Sequence, residues 1–201
     1  MKQIKKLEPD ELKRIYRAHI QDDFPRNERR PFSAMEKMTK AGKYVSYGLY
    51  GEDGLQAYAC YILLEDENYA LLDYFAVIPV LRGHGIGSEF LRKLNEFVPV
   101  EKGTFVEAES PDSAKDAKEA LNRQKRIDFY LSNGAVMTNS KCRLFHVDYN
   151  ILYLSKDGGA PAPDHMCLAV EGMYREMYRP LYGRLCKPYL AVPVREGENR
   201  R

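Results

Sequence analysis

The run from Leu71 to Leu91 limits what this chain can fold into more than any other stretch. Leu71-Leu72-Asp73-Tyr74-Phe75-Ala76-Val77 is apolar apart from Asp73 and Tyr74, which predicts a buried strand. Pro79 has no N–H to give and ends the ladder. Gly83, Gly85 and Gly87 follow, and Ile86, Phe90, Leu91, Leu94 and Phe97 then recur at the spacing of a helix with one buried face. A strand, a basic glycine-rich loop and a helix, in that order, offer bare N–H groups and the positive end of a helix dipole to whatever lies above the loop. This is an anion site, and the diphosphate of a cofactor is the simplest anion to place there.

Three kinds of anion loop can be told apart. The ATPase type, G-x-x-x-x-G-K-S/T, needs a Lys-Ser or Lys-Thr pair that is absent after these glycines. The dinucleotide pattern G-x-G-x-x-G would put its third glycine at Ser88, so it fails at one position, although Glu107 stands about twenty residues on as an acidic candidate. Pro79 and Arg82 before the glycines count against it. The third kind fits throughout: Arg82-Gly83-His84-Gly85-Ile86-Gly87 reads as Arg or Gln, two residues, Gly, one residue, Gly or Ala, with Val77 and Pro79 ahead of it. It closely resembles the acetyl-coenzyme A loop of the GCN5-related N-acetyltransferases (GNAT). The resemblance implies cofactor contacts along Phe75, Ala76 and Val77 and along Arg82, Gly83, His84, Gly85, Ile86, Gly87 and Ser88. His84 reads as a spectator facing cofactor or solvent. Arg82 either adds charge or caps the loop.

A second match lies further on. Arg126-Ile127-Asp128-Phe129-Tyr130-Leu131-Ser132-Asn133-Gly134-Ala135 resembles the family's helix that ends in Phe-Tyr just before a glycine and the sixth strand. Many members carry Asn seven positions before this Tyr, where this chain has Arg123. The resemblance spans residues 1–155 and implies an α+β fold, a mixed central sheet flanked by helices, with residues 156–201 as a linker and C-terminal helical extension.

Composition supports a packed domain. Of 201 residues, 44% are hydrophobic and 30% charged, enough apolar material for a core. A net charge of +2 gives no argument for nucleic acid. No apolar run is long enough to cross a bilayer and no signal-peptide core follows Met1, so a cytoplasmic protein without a membrane partner is expected. Cys60, Cys142, Cys167 and Cys186 form no C-x-x-C and read as reduced structural thiols. Cys142 with His146, and His165 with Cys167, are at most half-sites, so no metal is expected.

Along the chain, Ile4 and Leu7 open a strand-like start. Leu12, Ile15, Tyr16 and His19 follow Pro9 at helical spacing. Gln21–Phe32 has no period and reads as a surface loop; by resemblance this region walls the acceptor pocket. Tyr44–Tyr50 and Ala57–Leu64 flank an Asp53-Gly54 turn signal and predict a hairpin, and Glu65–Asn68 turns the chain into the Leu71–Val77 strand. Thr104–Glu109 predicts a fifth strand, parallel to the strand before the crossover helix. A helix is expected over 113–132, closed by Asn133-Gly134, and a closing strand pair over Arg143–Val147 and Tyr149–Leu154. Met166, Val170, Met173, Met177 and Leu181 form an apolar helical face. That face suits packing on its own sheet, a homodimer contact or a lid.

Acetyl transfer to an amine needs a deprotonated nucleophile, because a free alkyl ammonium has a pKa near 10. A carboxylate within hydrogen-bond reach, directly or through water, can take that proton. Asp73, Glu107 and Glu109 are the candidates; alternation puts Asp73 on one face with Phe75 and Val77. The resemblance makes Tyr130 the acid that protonates the departing thiolate, with an N–H near Val77, at the bulge of the central strand, facing the oxyanion. The expected reaction is direct transfer from acetyl-CoA to an amine of a small molecule or peptide. The competing readings are a dinucleotide-dependent oxidoreductase and a non-catalytic acyl-CoA sensor.

Overall fold

Hydrophobic alternation and glycine placement build the chain into two compact units, Met1–Val100 and Glu101–Arg201. The structure is a computed structural model that describes residues 2–26, 28–64, 68–144 and 147–159. The apolar face of Met166, Val170, Met173, Met177 and Leu181, with His165, Cys167 and Cys186, lies outside the described residues, as do His146 and residues 65–67.

In the first unit, β1 (Gln3–Lys6), β2 (Tyr44–Gly51), β3 (Gly54–Leu64) and β4 (Tyr69–Val77) pair in sequence order, each antiparallel to the next. Gly54, at φ +107°, supplies the left-handed residue that the hairpin turn requires. Helix α1 (Pro9–Ile15) starts on Pro9, where a missing N–H is harmless, and Glu8 and Glu11 close a capping box over its first turn. The chain continues through a π-helical turn, Tyr16–Ile20, into the short α2 (Gln21–Asp23). Helix α3 (Phe32–Lys40) is an element that the sequence reading did not foresee. It ends in a Schellman motif: Gly42 N–H bonds to Thr39 O and Lys43 N–H to Met38 O, with Gly42 at φ +73°. Helix α4 (Ile86–Phe97) buries Ile86, Phe90, Leu91 and Leu94, worth about 1.5–3 kcal/mol each when fully removed from water. Phe97, expected on the same stripe, is 48% exposed and instead meets Tyr47 edge-on, its carbonyl accepting the Tyr47 hydroxyl at 2.8 Å.

The β3–β4 ladder carries one irregularity. Cys60 pairs with Tyr74 and Tyr61 with Leu72, so Asp73 is an extra, bulged residue of β4. The ladder is regular at Val77, which pairs with Ala57; the bulge lies four residues earlier than the sequence reading put it.

In the second unit, β5 (Gly103–Glu109) and β6 (Val136–Leu144) flank β7 (Val147–Ser155), both antiparallel to it. Helix α5 (Ala117–Ser132) begins four residues later than expected, because Pro111–Ser113 forms a separate 3-10 turn and Asp116 caps the helix by accepting from Glu119 N–H at 2.7 Å. The closing pair also differs: β6 runs Val136–Leu144 and β7 starts at Val147, so the run expected to be one strand over 143–147 is divided between two.

Candidate active site

The anion loop is built as its residues require. After β4, Pro79–Leu81 makes one 3-10 turn, and Gly83 and Gly85 take φ values of +82° and +76°. A side chain there would be strained, yet a Cβ on either glycine would meet no atom within 4 Å, so the space beside the loop is open. Gly85 is the N-cap of α4, and the first-turn N–H groups of the helix have no partner within it. Arg82 caps the strand end: its Nε donates to Val77 O at 2.9 Å and a terminal nitrogen donates to Asp23 at 2.6 Å. The His84 ring lies 3.3 Å from Leu81 O and is exposed. Phe75 stacks on Phe90 of α4, with centroids 5.8 Å apart.

Asp73 does not share a face with Phe75 and Val77, because the bulge breaks the alternation. Its carboxylate accepts from the Tyr44 hydroxyl at 2.7 Å and from Arg30 Nε and Nη2, both at 3.3 Å. Tyr44 lies opposite Ile62 and so on the face of Cys60 and Tyr74, away from α4. The Asp73 and Arg30 side chains are 12% and 13% exposed. Burial alone would weaken the Arg30 charge, but Asp73 outweighs it and holds the guanidinium above its ordinary range. Burial, then Asp73, raises the Tyr44 and Tyr74 hydroxyls. Tyr74 donates to Glu28 O and accepts Arg30 N–H at 2.6 Å, fastening the loop before α3 onto β4. Arg30, Tyr44, Tyr58 and Asp23 were not singled out by sequence. The one available signal was the half-buried Asp73 itself, which demands a cation without saying which.

In the second unit, Glu107 and Glu109 lie on β5. Glu109 is bound at both oxygens, by Arg123 at 3.0 Å and Arg126 at 2.8 Å. Arg123, 5% exposed, also reaches Glu119, the Ser113 hydroxyl and Ser110 O, knotting β5, the 3-10 turn and α5 together. Tyr130 is half-buried near the end of α5, and burial pushes its hydroxyl up to about 12, against the opposing charge of Arg126. The helix ends on it: Ala135 N–H bonds to Tyr130 O and Gly134 N–H to Leu131 O, a Schellman motif with Gly134 at φ +94°. Among the described residues no cluster of His, Cys, Asp and Glu could hold a metal, and no helix is long and apolar enough to cross a membrane.

Comparison with known proteins agrees with this geometry. Residues 10–121 match the model of the acetyltransferase (GNAT) family. A GNAT-family structure from Bacteroides thetaiotaomicron has a TM-score of 0.68 at 17% identity, covering 90% of this chain and 98% of that one. Spermidine N-acetyltransferase from Vibrio cholerae, in complex with CoA and spermine, has a TM-score of 0.58 at 12% identity, covering 78% and 96%. The ribosomal-protein-S18-alanine N-acetyltransferase from Escherichia coli has a TM-score of 0.54 at 20% identity, covering 77% and 94%. No curated protein sequence matches. The fold is therefore the α+β fold of the N-acetyltransferases. The chain belongs to the GNAT family and is an enzyme of acetyl transfer to an amine, which removes the oxidoreductase reading.

Proposed function

We propose that the protein binds acetyl-CoA on the loop from Arg82 to Ser88 and acetylates an amine by direct attack. The observation that carries this reading is the open glycine loop that ends β4 and caps α4, within the segment matched by the family model. Acetyl-CoA supplies the activated acetyl thioester. N–H groups of Gly83 to Ser88 receive its diphosphate, with no side chain at the glycines to obstruct it. The solved spermidine enzyme holds CoA, which supports the same co-substrate here.

A carboxylate within reach, Asp73, Glu107 or Glu109, takes the proton of the amine, directly or through a water; Asp73 and Glu109 each do so from beside guanidinium groups. Tyr130 is the proton donor to the departing sulfur. Its hydroxyl is a weaker acid than a free thiol, whose pKa is about 8.5, so it stabilises the thiolate chiefly as a hydrogen-bond donor. The acceptor is a small-molecule or peptide amine.

Isothermal titration with acetyl-CoA, with NAD(H) and FAD as controls, tests the site. Binding of acetyl-CoA alone is expected, and thiol release on adding amines then identifies the acceptor. Gly85→Glu places a long anionic side chain in the open space and should abolish acetyl-CoA binding. Undiminished affinity in that variant would sink the loop assignment.

A further inference from the structure

The first residue of the anion loop is tied to a carboxylate 59 positions earlier. Asp23, whose side chain is 9% exposed, receives the Arg82 guanidinium on one oxygen at 2.6 Å and the Tyr58 hydroxyl on the other at 2.8 Å. Tyr58 is fully buried on β3, directly opposite Ala76, and the His19 ring stacks on it with centroids 6.2 Å apart. Asp23 ends the helical run that contains the π-helical turn, and the same stretch is fastened at Tyr16, whose hydroxyl donates to Arg30 O at 3.0 Å.

Resting on the reading of this loop as the CoA site, we propose that Arg82 is a positioning residue that joins the loop to residues 16–31 through Asp23 and Tyr58, rather than a ligand of the diphosphate. Three features carry this. Arg82 bridges the last carbonyl of β4 and Asp23, so its guanidinium fixes where the loop leaves the strand. A carboxylate beside a cation meant for phosphate would weaken it, whereas a carboxylate meant to hold that cation is expected to be buried and doubly bonded, as Asp23 is. π-Helical turns inside α-helices recur at functional sites, and this one ends three residues before Asp23. Occupancy of the loop is thereby transmitted to the segment before α3, in which Arg30 is held by Asp73.

The two roles predict opposite signs. If Arg82 is a phosphate ligand, Asp23→Asn removes a nearby negative charge and should leave CoA affinity unchanged or improve it. If Arg82 is a positioning residue, Asp23→Asn and Arg82→Gln should each weaken CoA three- to tenfold in isothermal titration. The double variant should then be no weaker than the worse single one, and Tyr58→Phe should shift affinity the same way. Hydrogen exchange on the ligand-free protein is the second arm: Asp23→Asn should speed exchange at least fivefold in peptides covering 77–85. Tight CoA binding by Asp23→Asn with a loss above tenfold in Arg82→Gln overturns the proposal. If the wild type does not bind CoA, the cofactor reading fails. The exchange arm then still decides the link, and unchanged exchange over 77–85 in Asp23→Asn overturns it.

Discussion

Arg123 shows how one residue type redirects a site. At the position where the family resemblance implies Asn, a guanidinium sits buried between Glu109 and Glu119 and reaches Ser110 and Ser113. Arg123→Asn leaves Glu109 with Arg126 alone and should lose about 3 kcal/mol of stability in urea titration, with no gain in CoA affinity. Tyr130 is the other residue on which a sharp test rests. Tyr130→Phe should lower kcat roughly 100-fold with little change in the KM for acetyl-CoA. Because the wild-type hydroxyl stays protonated up to about pH 12, kcat/KM should climb from pH 7 to 9 as the amine deprotonates, in both proteins. A flat profile in the variant would move the rising limb onto Tyr130 and remove it as the acid.

Among the elements, those with strong punctuation were legible. Pro9, Asp53-Gly54, Pro79, the loop glycines and Asn133-Gly134 each mark a boundary, and strands β2 to β5, helices α1 and α4 and the C-terminal end of α5 stand where that punctuation puts them. Helix α3 was missed although Met35 and Met38 stand at helical spacing and Gly42 closes it, because the two prolines and mixed charges before it looked like loop. The bulge was misplaced, and with it the face of Asp73, since one extra residue in a ladder leaves no trace in an apolar run. The ties to Arg30, Asp23 and Tyr58 were illegible because pairing across 35 to 59 positions is a property of the fold. Gly134 belongs to this scale too. Gly134→Ala forces a side chain into a left-handed cap and should cost about 1–2 kcal/mol, measured by urea titration. Since the cap sets the helix turn that carries Tyr130, kcat should fall with it. A full-strength kcat at reduced stability would show that the cap and the site are independent.

At the scale of the whole molecule, the family resemblance survives at 17% identity because it rests on punctuation and burial rather than on particular side chains. Burial also fixes how the protein responds to alkali. The Tyr44, Tyr58 and Tyr74 hydroxyls are all raised above their ordinary value near 10, first by burial and then by hydrogen bonding or proximity to Asp73 or Asp23. The unfolded chain ionises these phenols at the ordinary value while the fold keeps them neutral. Their contribution is therefore fully present below pH 10 and lost as pH rises beyond it. Each withdraws about 1.4 kcal/mol per pH unit there, so urea midpoints should hold from pH 7 to 9 and drop steeply above 10. A gradual decline beginning near neutrality would contradict that burial.

Asp73 has one more property. With Leu72 opposite Tyr61 and Tyr74 opposite Cys60, β4 would match β3 in a single unbroken register if Asp73 were simply left out. Strands rarely tolerate a deletion, because a one-residue slip turns every later side chain to the wrong face. Here the slip is already built in, and shortening the chain by this residue would straighten the ribbon. Asp73 is thus surplus to the pairing of β4 with β3, and its side chain is held instead by Arg30 and Tyr44.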